Sequence, residues 1–152
     1  MKQKTYNLAQ LNITKLKADL DDPIMKEFKD FLAPVNQLAE ESPGFVWRFK
    51  DETGEAAIDV ETPFEDSMIF INMSVWTDYE SLRAYTYDTV HSYFLKSRKK
   101  WSEKIDGHQV VLWWIEQSHV PTLAEAKSKL DTLEKNGPTP SAFGLQKIFE
   151  PE

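Results

Sequence analysis

Asn72-Met-Ser-Val-Trp76 closes a strand-like run, and Tyr87, His91, Phe94, Arg98 and Trp101 follow it at spacings of four, three, four and three residues. Those spacings set the five side chains along one stripe of a helix. A packing stripe is ordinarily Leu, Ile and Val; this one carries a phenol, an imidazole and a guanidinium between aromatic rings. His91, with an ordinary pKa near ~6.5, has the chemistry of a general acid or base, and its neutral nitrogen could equally coordinate a haem iron. The bland alternative is a hydrogen-bonded histidine on a helix face. Arg98 could hold a ligand carboxylate, or pair with one of the chain's own 25 Asp and Glu residues. Asn72 and Asn12 fall on the mixed faces of their strands, where a buried amide without a partner costs about 1–3 kcal/mol. A ligand, a water or a neighbouring side chain must answer each of them.

These residues compose a small-molecule site: Asn72, Trp76 and His91 as the reacting group, and Asn12, Trp47, Tyr87, Phe94, Arg98, Trp101, Trp114 and His119 as the binding wall. Trp113 and Trp114 are adjacent on a strand and must point to opposite faces, so only one of them can line the pocket. Single tryptophans ordinarily serve a core. His119, in the loop after the last strand, is placed at the pocket mouth, or is only a turn residue; His108 is expected to be exposed.

The elements that must position them follow from periodicity. Residues 5 to 14 alternate, with Leu8, Gln10 and Asn12 on one face and Ala9, Leu11 and Ile13 on the other, which predicts a first strand. Asp21, Asp22 and Pro23 cap a helix of about 23 to 40, which Pro34 should kink or split. Ser42-Pro43-Gly44 precedes an aromatic strand, Phe45 to Phe49, and a weaker strand near 56 to 61. Met68 to Trp76 is the clearest strand. Thr77 with Glu80 reads as a capping box opening a helix to about Lys104. His108 to Glu116 is the last strand, and Thr122 with Glu125 is a second capping box, opening a helix that Gly137-Pro138 closes. The order predicts a single ferredoxin-like α+β domain over 1–152, an antiparallel sheet with helices on one face and a C-terminal helical extension. The core runs from about 5 to 117. Ile69, Ile71, Met73 and Val75 then form a wholly apolar sheet face, and a second copy of the chain is the simplest cover, which predicts a homodimer.

Composition narrows the partners. With 152 residues, 41% hydrophobic, the chain suffices for one core. A net charge of -7 and a pI near 5.0 argue against a nucleic-acid backbone. No cysteine is present, and no apolar run reaches the ~20 residues of a membrane span, so a cytoplasmic protein without a membrane contact is expected. Neither a phosphate loop, a nucleophile elbow nor an HExxH motif occurs, and no metal site is expected.

SPGFVWR (42 to 48), NMSVW (72 to 76), His91 with Arg98 and Trp101, LWW (112 to 114), HVPT (119 to 122) and GPTPSAF (137 to 143) together resemble the bacterial family named domain of unknown function 3291, over nearly the whole chain. That family looks related to the dimeric α/β-barrel superfamily, which includes antibiotic-biosynthesis monooxygenases and haem-degrading monooxygenases. The resemblance implies a dimeric barrel. It also implies a cofactor-independent oxidoreductase on an aromatic substrate, because Asn72 and Trp76 are similar in spacing to an Asn and a Trp used by quinone-forming members. The haem-degrading branch is matched by Asn12 and His91 but not by its helical Trp, since no tryptophan stands between Trp76 and His91. A haem or flat-ligand binding protein without turnover is the alternative reading, and a dimeric interaction module the third.

Overall fold

The computed structural model describes residues 6–18, 22–49, 69–88, 100–103 and 107–151. The strand expected near 56 to 61 and the helical stretch with His91, Phe94 and Arg98 lie outside the described residues.

The alternation in the first segment produces β1, Tyr6–Leu16, the sheet's central strand, paired along both of its edges and buried over most of its length. β1 runs antiparallel to β3 (Ile69–Trp76) on one side, and on the other to β5 (Val110–Glu116) and the two-residue β4 (Ser102–Glu103). β2 (Phe45–Arg48) pairs with the outer side of β3 through a bulge between Phe45 and Trp47. The resulting order, β2-β3-β1-β5, is the ferredoxin-like arrangement expected from the sequence. In this register Asn12 sits directly opposite Asn72, and Gln10 opposite Ser74.

Helix α1, Lys26–Glu41, follows a single 3-10 turn at Pro23–Met25, whose start Asp22 caps by accepting the Ile24 N–H at 3.0 Å. Pro34 does not split it. The proline lies on the exposed side while Phe28, Val35 and Ala39 hold the helix to the sheet on both sides of it. Helix α2, Tyr79–Asp88, starts one residue later than the capping box implied: Asp78, not Thr77, caps it, its carboxylate accepting the Ser81 N–H at 2.8 Å. The run to Lys104 is also corrected. Trp101 occupies a turn whose carbonyl accepts the Lys17 N–H, and Ser102 is already strand, so Trp101 is not on a helical stripe.

Helix α3, Leu123–Asn136, changes the account of the apolar face. Its Ala126, Leu130 and Leu133 pack over Leu11, Ile71, Met73, Val75, Val111 and Trp113, all 2% exposed or less in the sheet. The face assigned to a second copy is therefore closed by the chain itself, and the reasoning from a bare face to a partner loses its premise. Sequence patterning had the reason in view: α3 carries an apolar stripe of its own that needs a surface. Thr122 caps α3 as expected, accepting the Glu125 N–H at 3.1 Å, but Glu125 does not reach back. Its carboxylate accepts the Trp113 indole N–H at 2.8 Å and contacts His119 Nε2 at 2.6 Å. No helix among the described residues is long and apolar enough to cross a membrane.

The turn into β2 depends on Gly44, at φ 82°, whose carbonyl accepts the Thr77 N–H at 2.8 Å. A Cβ there would lie 2.4 Å from Ser81 Cβ. Gly44→Ala is expected to destabilise the fold by about 1–3 kcal/mol, through the left-handed backbone and this crowding. A urea midpoint unchanged from the parent would refute that account of the turn.

Candidate functional site

One face of the sheet turns Gln10, Asn12, Thr14, Phe70, Asn72 and Ser74 toward α1 and α2, and a cavity of about 260 Å3 lies between the layers. Phe28, Leu32, Val35 and Asn36 of α1, Leu82, Tyr85, Thr86 and Tyr87 of α2, Trp101 and Leu112 complete most of its wall. Phe28 is held edge-on to Phe70 and tilted against Trp101, with centroids 5.4 and 5.7 Å apart, which fixes the aromatic end. The described lining carries hydrogen-bonding groups but no Lys, Arg, Asp, Glu or His.

The floor is a connected polar network. Gln10 Nε2 donates to Asn72 Oδ1 at 2.9 Å and to Ser74 Oγ at 2.8 Å. Trp76 Nε1 donates to the same Ser74 Oγ at 2.8 Å. A serine oxygen has two lone pairs and one proton, so Ser74, accepting twice, is left with its O–H as the free polarity beside the cavity. An indole nitrogen can only donate, which fixes that sense. Trp76 itself is fully buried behind the wall, stacked on Tyr85 with centroids 5.1 Å apart and edge-on to Phe45 at 5.5 Å. Its action on the cavity therefore runs through Ser74.

Tyr85 donates its hydroxyl to the Val35 carbonyl at 3.2 Å and ties α2 to α1. Burial pushes its pKa well above the ordinary phenol value, with the Arg48 guanidinium pulling the other way, so the group stays neutral. Arg48, buried on β2, pairs with Glu40 at 2.9 Å, linking α1 to the sheet edge.

Of the residues named from sequence, Asn12, Asn72, Tyr87 and Trp101 line the cavity and Trp76 backs it. Tyr87 is half-exposed at the rim. Three placements are corrected. Trp47 packs on the α3 side of the sheet, because the bulge in β2 turns it there. Trp114 shares the cavity face but lies under the C-terminal arm, its indole donating to the Phe149 carbonyl at 2.7 Å. His119 is on the α3 side, against Glu125, away from the cavity mouth. His91, Phe94 and Arg98 lie outside the described residues. Gln10 and Ser74 were missed, although each shares the period-two face of a candidate Asn. Asn36 and Thr86 were missed too: Asn36 stands in a helix read from its apolar positions, and Thr86 stands beside Tyr87 but off the stripe that starts there.

The described lining offers no histidine to a haem iron, and His91 lies outside the described residues. Among the described residues no cluster of three His, Cys, Asp or Glu side chains could hold a metal ion.

The sequence pattern of Domain of unknown function (DUF3291) matches residues 7–152. The chain is a DUF3291 protein. No curated protein matches it in sequence. Among solved structures, this DUF3291 chain is similar to a protein of unknown function from Nitrosomonas europaea, with a TM-score of 0.49 and 13% identity over 79% of this chain and 97% of that one. It is similar also to SnoaB, a cofactor-independent oxygenase from Streptomyces nogalater, with a TM-score of 0.43 and 14% identity over 78% and 97%. MupZ from Pseudomonas fluorescens gives a TM-score of 0.43 and 12% identity over 99% and 93%.

Proposed function

We propose that this protein binds an uncharged, flat aromatic molecule carrying a hydroxyl or carbonyl oxygen, held between the sheet and helices α1 and α2. The observation that supports this is the floor: Ser74, fixed by Trp76 and Gln10, keeps one O–H for the cavity beside the Asn12 and Asn72 amides. Aromatic walls with a few oriented polar groups are the usual composition of a small-molecule site. A volume of about 260 Å3 suits a ligand of two or three fused rings better than a tetrapyrrole.

The resemblance to cofactor-independent monooxygenases adds a reaction to this reading. A ring methylene conjugated through its flanking rings with such a carbonyl would react with dioxygen: both of its C–H bonds break, one oxygen atom becomes a ring carbonyl, and the other leaves with both hydrogens as water. The methylene carbon supplies all the electrons that dioxygen takes up. Donors at the floor would stabilise the enolate that precedes attack. The proton acceptor for that step is the role that falls to His91.

Titration with 2-naphthol, followed by its fluorescence, tests the binding. Saturable binding is expected, with naphthalene weaker for want of the oxygen and 2-naphthoate weaker for want of a counter-charge. Tightest binding by naphthoate would transfer the ligand-holding role to Arg98 and overturn the uncharged reading. Oxygen uptake with a tricyclic anthrone in air tests the reaction. A rate no greater than in buffer would remove the oxygenase step and leave the binding.

A further inference from the structure

The cavity has a second polar pole, on the side opposite the sheet. Asn36 on α1 is 7% exposed and Thr86 on α2 is 8% exposed, and both line the cavity. Neither side chain has a hydrogen-bond partner among the described residues. Their surroundings are not loose. The Tyr85 hydroxyl donates to the Val35 carbonyl, so each group stands one residue beyond an end of the bond that fixes α2 against α1. A buried amide and hydroxyl without partners disfavour folding, and Leu and Val of nearly the same shape would remove that cost. Groups held at the expense of stability are a mark of sites built to bind something else.

We propose that Asn36 and Thr86 hold a second oxygen of the ligand, so that the site takes an aromatic molecule with oxygen substituents at two opposite edges. One edge meets Ser74, Asn12 and Asn72 on the sheet; the other meets the amide and hydroxyl on the helices. Asn36 brings a donor and an acceptor, and Thr86 both in one atom, so a hydroxyl or a carbonyl is accommodated there. The inference rests on the reading of the cavity as a ligand site and adds the number and placement of the ligand's polar groups.

The test compares 2,6-dihydroxynaphthalene with 2-naphthol, by calorimetric titration, on the parent protein, Asn36→Leu and Thr86→Val, with thermal unfolding of each ligand-free protein. The parent is expected to bind the diol about tenfold or more tightly than the naphthol. Each substitution should weaken the diol about tenfold, weaken the naphthol by much less, and raise the ligand-free Tm by about 2–4 °C. Equal affinity of the parent for both compounds overturns the proposal without touching the cavity reading. So does a Tm that falls in the variants while diol binding persists, since the pair is then satisfied within the protein or by an ordered water. Binding of neither compound overturns the cavity reading and this proposal together.

Discussion

Trp113→Ala is expected to lower the free energy of unfolding by about 3–5 kcal/mol, in the range for removing a buried tryptophan. Trp113 is 1% exposed and stands opposite the small Ala9 in the register of β1 and β5. Its ring therefore fills the space between the sheet and α3 that Ala9 leaves. Truncation creates a void there and also takes the indole N–H from Glu125, which is buried enough to feel the loss. Trp113→Phe separates the two effects: most of the volume stays, and a loss of about 1 kcal/mol is expected from the hydrogen bond. Urea denaturation of both variants measures the difference. A cost below about 1 kcal/mol for the alanine variant would mean that α3 is not the cover of this face.

Trp76→Ala should cost about as much, since Trp76 is fully buried among Leu8, Tyr85 and Phe45. The more informative substitution is Trp76→Phe. It retains an aromatic ring against Tyr85 and removes the N–H that occupies one lone pair of Ser74, together with part of the indole's volume. The Ser74 proton is then free to turn away from the cavity. Stability is expected to fall by about 1–3 kcal/mol, from the lost hydrogen bond and the void together, and affinity for 2-naphthol about tenfold. If Trp76→Phe binds as the parent does, the indole is a core residue alone and the floor network does not set the ligand's orientation.

The sheet was legible because alternation of period two survives in a single sequence: β1, β3 and β5 each expose their two faces in the order of their residues. The pairing of Asn12 with Asn72 required the register, which no local pattern carries. Helix starts were less legible. Thr77 and Asp78 are both competent caps, and the aspartate oxygen that reaches the Ser81 N–H decides between them. Pro34 costs one helical hydrogen bond, which tertiary packing of Phe28 and Val35 outweighs. The candidate site divided along the same line. Asn12, Asn72, Tyr87 and Trp101 line the cavity and were named because their types stand out, whereas Trp47 and Trp114 were misplaced by a bulge and by the site at which the C-terminal tail, expected to be a short strand or an arm on the body, meets the sheet. Asn36 interrupts the run of Leu32, Val35 and Ala39 and was the signal for the helix pole.

Because α3 is made after the strand it covers, the chain leaves the ribosome in an awkward order. Val111 and Trp113, with Ile71, Met73 and Val75, emerge before the helix that seals them. From Glu116 to Asn136 is 20 residues, or roughly 1–4 s at the ~5–20 residues per second of synthesis. During that interval the nascent sheet offers a sticky apolar surface to any neighbour. The surface stays open until Leu130 and Leu133 have been made.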